Sequence, residues 1–144
     1  MTHDHHHGMR GVQATAAAVS LARTGEGKEE IGIHLEWEFG DDLNWSLNDI
    51  RPDYRLDATC PCCVPQSIIA FLESPGHEYA VRNTISLGGH AHTKAGIAGA
   101  VAETLYGCVA ETIAAHEALA RLDARLLAVI RAFNERFRAG GIRC

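Results

Sequence analysis

The clearest pattern in the chain lies towards its C-terminus. Leu119, Leu122, Leu126, Ile130, Phe133 and Phe137 recur at intervals of three and four residues, the spacing of one face of an α-helix. It predicts a helix, or a pair of helices, from Glu111 to about Arg138. Near the other end, VQATAAAVSLA falls within a stretch from Gly8 to Arg23 whose alanines favour helix, with Gly25 as a stop. Ile31, Leu35 and Phe39 mark one side of a second helix over Lys28–Phe39. Glu29 and Glu30 stand near its positive end, and Gly40 breaks it.

Between residues 41 and 59 the apolar rhythm lapses. This stretch reads as loop, with one short turn at Ser46–Asp49, and Pro52 holds Arg51 extended. Pro65 suits the early part of a helix running to about Ser74, and Pro75-Gly76 makes a turn. A helix over Glu78–Leu87 follows. Gly88 and Gly89 open a tight loop at His90, and Thr93 is placed to cap a helix that ends at Tyr106 before Gly107. Gly96, Gly99 and Ala100 give that helix a smooth side for close approach. No segment alternates with a period of two, so the expected class is all-α, and 144 residues are expected to form a single domain over 1–144.

Composition sharpens this only a little. Hydrophobic residues make up 47% of the chain but aromatics 6%, so the core must be built from aliphatic and small side chains. The net charge of −5 argues against a nucleic-acid partner, which calls for a basic face. No apolar run reaches the roughly 18 residues needed to span a bilayer, so no membrane partner is expected. The leading MTHDHHHG lacks the apolar centre of a signal peptide, which makes the cytoplasm the default location.

Three short segments carry the chemistry: His3-Asp4-His5-His6-His7, Cys60-Pro61-Cys62-Cys63 and His90-Ala91-His92. Each precedes a predicted helix, and each is rich in imidazole or thiolate, ligands that suit zinc, iron, copper or nickel over magnesium or calcium. His90 and His92 are two apart and share no helix face, so they converge only from a loop or a helix start. Cys60 and Cys63 have C-x-x-C spacing just before a helix, where thiolate is favoured. There is no second C-x-x-C for a four-cysteine zinc site. The alternative is reduced, partly buried thiols. The leading histidines resemble part of a purification tag, but their run is three residues long, behind His3 and Asp4.

GGHAHTKAGIAGAVAETLYG, from Gly88 to Gly107, resembles the signature of the ADP-ribosylglycohydrolase family, a GGDxDT motif followed by a small-residue helix ending in YG. Three other segments match that family in order. HDHHHGMRGVQATAAAVSLARTG, from His3, resembles its THNHPEGxxGAQATA stretch. DIRPDYRLDATCPCCVPQSIIAFLES, from Asp49, resembles the stretch IRPxYxFDxxCQGSVPxAxxAFLES. YAVRNTISLGG, from Tyr79, resembles DAxRNAISLGG. Together they span nearly the whole chain and correspond to the C-terminal half of the family's pattern.

The resemblance implies an orthogonal helical bundle and an enzyme that hydrolyses the bond between ADP-ribose and an acceptor, using two magnesium or manganese ions held by aspartates and a threonine. The matching positions are His90, His92 and Thr93. Both aspartates of the motif are histidines here, and neutral imidazoles do not offset two crowded dications beside a positive helix end. The other two loops carry the same kind of exchange: Pro61-Cys62-Cys63 stands for Gln-Gly-Ser, and His6-His7 for Pro-Glu.

The expectation is therefore a transition-metal site drawn from His3, His5, His6, Cys60, Cys62, Cys63, His90 and His92. It would act on a small-molecule substrate as a hydrolase or redox enzyme, with His6 or Asp4 as proton acceptor in the hydrolytic case. Apolar surface left by the unrepresented half predicts a homo-oligomer, most simply a dimer. The competing expectations are an ADP-ribosyl hydrolase completed by a second chain, and a non-catalytic helical scaffold.

Overall fold

The computed structural model describes residues 5–54, 59–107, 117 and 119–137. Among these it is all-helical. The elements are α1 (His6–Thr24), α2 (Lys28–Phe39), α3 (Leu47–Ile50), a 3₁₀ turn (Arg51–Asp53), α4 (Cys60–Leu72), α5 (His77–Ser86), α6 (Ala91–Tyr106) and α7 (Ala124–Phe137). The chain divides into two compact units, Met1–Tyr106 and Gly107–Cys144.

Glycines end the first two helices as the sequence leads one to expect. Gly25 sits at φ 94, with its N–H and that of Glu26 reaching the Ala22 and Leu21 carbonyls, a Schellman stop. Gly40, at φ 62, returns a single bond to Glu36. At α3 the Ser46 side chain accepts from the Asp49 N–H and the Asp49 carboxylate accepts from the Ser46 N–H, a reciprocal cap that stabilises so short a helix.

The core of the first unit is built from small residues where helices cross and large ones where they diverge. Ala14, Ala18 and Ala22 form the inner edge of α1, and Ala98, Val101 and Ala102 that of α6. Ile31 and Leu35 of α2 and Val64, Ile68 and Phe71 of α4 fill the remaining space. Burying each of the larger side chains stabilises the fold by about 1.5–3 kcal/mol, so most of the apolar stabilisation comes from α2 and α4. Leu47, Ile69, Ala70 and Leu87 make a second, smaller cluster.

Helix α6 packs on α5, α4 and α1. Of its three small residues, only Gly99 serves close approach: a Cβ there would lie 3.4 Å from Val81 and 3.5 Å from His77, both on α5. Gly96 and Ala100 face outwards. At the foot of α4, Lys28 of α2 donates through Nζ to the Leu72 carbonyl (3.2 Å) and to that of Ser74, while the Tyr106 hydroxyl donates to Ser74 O at 2.7 Å. A cation at a helix C-terminus is favourably placed against the dipole.

Arg51, expected to be extended before Pro52, is helical (φ −54, ψ −45) and opens the 3₁₀ turn. Two expected starts are also corrected. Helix α4 begins at Cys60 rather than near Pro65, which lies inside it. The carbonyl that Pro65 leaves without an intrahelical donor is that of Pro61, an exposed residue in the first turn, where the loss is small. The cysteine segment is therefore the first turn of the helix and not a loop before it. Likewise Thr93 is inside α6, not its cap. Gly88 (φ 75) and Gly89 (φ 63) turn the chain so that the His90 carbonyl receives the Lys94 N–H at 3.1 Å.

In the second unit, Leu119 and Ala120 are helical, and a turn at 121–123 precedes α7. Asp123 Oδ1 accepts from the Leu126 N–H at 2.9 Å and caps α7. The apolar stripe of α7 is realised as helix, with Leu126, Val129, Ile130 and Phe133 exposed along it. The rest of the expected 111–138 helix lies outside the described residues.

Candidate metal centre

Helix α1 starts on histidines. His5 has extended backbone (φ −118, ψ 140) and acts as the N-cap, its Nδ1 accepting the His7 N–H at 3.3 Å. His6 and His7 are the first two helical residues. Their rings stack at centroid distances of 4.3 Å (His5–His6), 3.8 Å (His6–His7) and 5.0 Å (His5–His7). One nitrogen from each comes within 4.8 Å of the others, and among the described residues this is the one group of three or more potential ligands so gathered. Tetrahedral zinc with bonds of roughly 2.1 Å needs nitrogens about 3.4 Å apart, closer than the 4.8 Å within which these lie.

The electrostatics of the cluster favour the ligating form. His6 has its protonation depressed first by the neighbouring His7, then by desolvation, by His5 and by Arg10. An imidazole must be neutral to bind a metal. The N-terminal end of α1 adds its own positive potential.

Two of the trio, His6 and His7, line a cleft of about 330 Å³. His6, His7 and Arg10 come from α1, and Phe39 and Asp41 from the end of α2 and the residues after it. Pro61 and Pro65 of α4 close the third side. The cysteine helix thus reaches the cleft through Pro61, Val64 and Pro65, and no described cysteine lines it. Arg10 donates to the Phe39 carbonyl and ties α1 to the end of α2. Burial raises the Asp41 carboxyl above its ordinary range, against the opposing pull of Arg10.

The other expected ligands are distributed as follows. Cys63 is buried and Cys62 half-buried, and neither belongs to the histidine group. Cys60 opens α4, but its side chain, like the whole of His3, lies outside the described residues. His90 and His92 flank the start of α6 with ring centroids 5.9 Å apart and gather no third ligand among the described residues. Thr93 lies on a different cleft, along α1 with Val12, Val19 and Ile97.

Sequence reasoning passed over two features. His7 completes the trio; it stood in the histidine segment but outside the expected ligand set. At a helix start the side chains have not yet diverged around a full turn, so neighbours can converge. Lys94 is fully buried. Its Nζ donates to the Tyr54 hydroxyl at 2.8 Å and lies 4.1 Å from that ring's centroid, a cation–π contact. Its signal was its phase: position 94 is in register with Ala98 and Val101 on the inner side of α6.

No protein-family model matches this chain, and no curated protein or solved structure matches it either.

Proposed function

We propose that the protein binds a transition-metal ion (zinc, iron, copper or nickel) through His5, His6 and His7, on a helical fold of ADP-ribosylglycohydrolase descent. The observation that carries the metal reading is the convergence of three imidazole nitrogens within 4.8 Å, two of them from residues that line a cleft. Three neutral nitrogens suit a borderline cation, and three protein ligands leave a fourth tetrahedral position open, the arrangement of catalytic zinc sites. Binding through His5 Nδ1 displaces its cap bond to the His7 N–H, so metal and cap compete for that one lone pair.

Descent from the hydrolase fold rests on the sequence resemblance of four segments, from His3, Asp49, Tyr79 and Gly88. A pair of magnesium ions at the start of α6 does not fit these residues. His90 and His92 bring no negative charge, and the buried ammonium of Lys94 follows one turn later. The proposed centre is accordingly at α1, not at the position that the resemblance singles out.

Self-association is supported by apolar surface. Ile33 and Trp37 of α2 are 60% and 80% exposed, and Leu126, Val129 and Phe133 line an open side of α7. Sedimentation velocity on the purified chain tests for the dimer.

The decisive experiment is zinc titration of protein without an added histidine tag, alongside a variant with His5, His6 and His7 all changed to alanine and a second with His90→Ala and His92→Ala. The first variant is expected to lose at least roughly 100-fold in affinity, about 2.8 kcal/mol, and the second to stay within about threefold of the parent. Absence of zinc binding in the parent, or its survival in the triple variant, sinks the reading.

A further inference from the structure

The cleft beside the histidines is lined by two opposite charges that are not joined in an ion pair. Arg10 and Asp41 both line it, yet they form no ion pair with each other, because Arg10 is drawn to the Phe39 carbonyl. Asp41 is half-buried and makes no hydrogen bond to a described residue. A desolvated carboxylate left without a contact partner is unfavourable, and a cationic group entering the cleft would relieve it. Arg10 still has planar guanidinium donors suited to a carboxylate. The same cleft has apolar lining from Phe39, Val64 and Pro65. A volume of about 330 Å³ is at the lower end for small-molecule pockets, which run from roughly 300 to 1,000 Å³.

We propose that this cleft binds a small zwitterion, an amino-acid-like molecule whose carboxylate meets Arg10, whose ammonium meets Asp41 and whose apolar arm lies against Phe39 and Val64. Each charge of the ligand satisfies one charge of the protein. A purely anionic ligand would be repelled by Asp41, and a purely cationic one by Arg10 and by any protonated imidazole at the rim. The inference stands apart from the metal reading, since neither Arg10 nor Asp41 is a proposed ligand, and it is tested on protein stripped of metal by a chelating resin.

The probes are L-leucine and its two half-charged counterparts, isoamylamine and 4-methylpentanoate, titrated calorimetrically. Leucine is expected to bind at least roughly tenfold more tightly than either counterpart. Arg10→Gln should remove the preference for leucine over isoamylamine, and Asp41→Asn the preference over 4-methylpentanoate, while Arg10→Lys keeps part of the first. Should Arg10→Gln loosen α1 from the Phe39 carbonyl and lower the thermal midpoint, Asp41→Asn decides alone, because no described partner depends on that side chain. Equal affinity for all three probes, no leucine binding up to about 10 mM, or a preference over 4-methylpentanoate that survives Asp41→Asn overturns the proposal. Loss of zinc binding with leucine binding intact leaves it standing and removes only the metal reading.

Discussion

Helices α1 and α6 both begin on histidines, but they use them differently. At α1 three consecutive imidazoles crowd together, and an arginine and a carboxylate line the cleft behind them. At α6 two imidazoles stand 5.9 Å apart across one alanine, and the first turn behind them ends in a buried ammonium. Residue type alone does not make a metal site. The α1 start gathers a third imidazole, with the Arg10 guanidinium and the Asp41 carboxylate both lining the cleft beside it. The α6 start gathers two imidazoles and a buried lysine held by Tyr54.

The two starts also differ in what holds them. The α6 start depends on Gly89, at φ 63, where a Cβ would fall 2.4 Å from the Tyr54 hydroxyl oxygen. The backbone conformation and the close approach therefore both demand glycine. Gly89→Ala is expected to have the largest effect, a loss of about 3 kcal/mol from left-handed strain and displacement of Tyr54, read by urea denaturation. An unchanged midpoint would show that Tyr54 does not need that space, and the contrast between the starts would lose its structural half.

Next in size is the loss of roughly 100-fold in zinc affinity expected when His5, His6 and His7 become alanine, against almost none for His90 and His92. A smaller effect sharpens the comparison from the other side. If the Lys94 ammonium is what keeps cations from α6, then Lys94→Met, placed in the triple-alanine background, should raise zinc affinity several-fold through His90 and His92. It should do so at little cost in stability, since an apolar side chain of similar length replaces a buried charge. Unchanged zinc affinity in that variant would assign the difference between the starts to ligand number alone.

The smallest effect is one of pH. His6 protonates less readily in the fold than at its ordinary value of 6.5, so the unfolded chain binds more protons in the window just below that value. Stability at the α1 start should therefore be complete above the ordinary imidazole range and fall as pH drops through it. Amide exchange at Gly8–Val12 is expected to quicken below about pH 6.5, and His6→Ala to flatten that dependence. Zinc binding should weaken over the same window, because protons and metal compete for the same nitrogens.

Much of the helical pattern was legible from local signals. The ends of α1 and α2 are written in Gly25 and Gly40, and the short α3 in Ser46 and Asp49. These outcomes need only neighbouring residues, and in each case the geometry follows from one glycine or one side-chain cap. The start of α4 was misread because Pro65 looked like a first-turn residue. A helix tolerates proline deeper in when the carbonyl it strands faces water, and exposure is not written in the local sequence. The same holds for Thr93, a good cap in isolation that the two glycines before His90 made unnecessary.

For the candidate site, the chemistry on offer was legible along the chain: imidazoles at residues 3, 5–7, 90 and 92, and thiols at 60, 62 and 63. Only the tertiary structure decided which of these meet. It set His6 and His7 in one cleft with Arg10, Asp41 and Pro61, residues up to 55 positions apart in the chain. It also turned Lys94 inwards onto Tyr54, 40 residues away. The physical reason is that ligation and charge pairing act over a few ångströms. Periodicity along a chain assigns a residue to a face of its own helix, but the distance between two faces depends on how helices of small residues pack against one another.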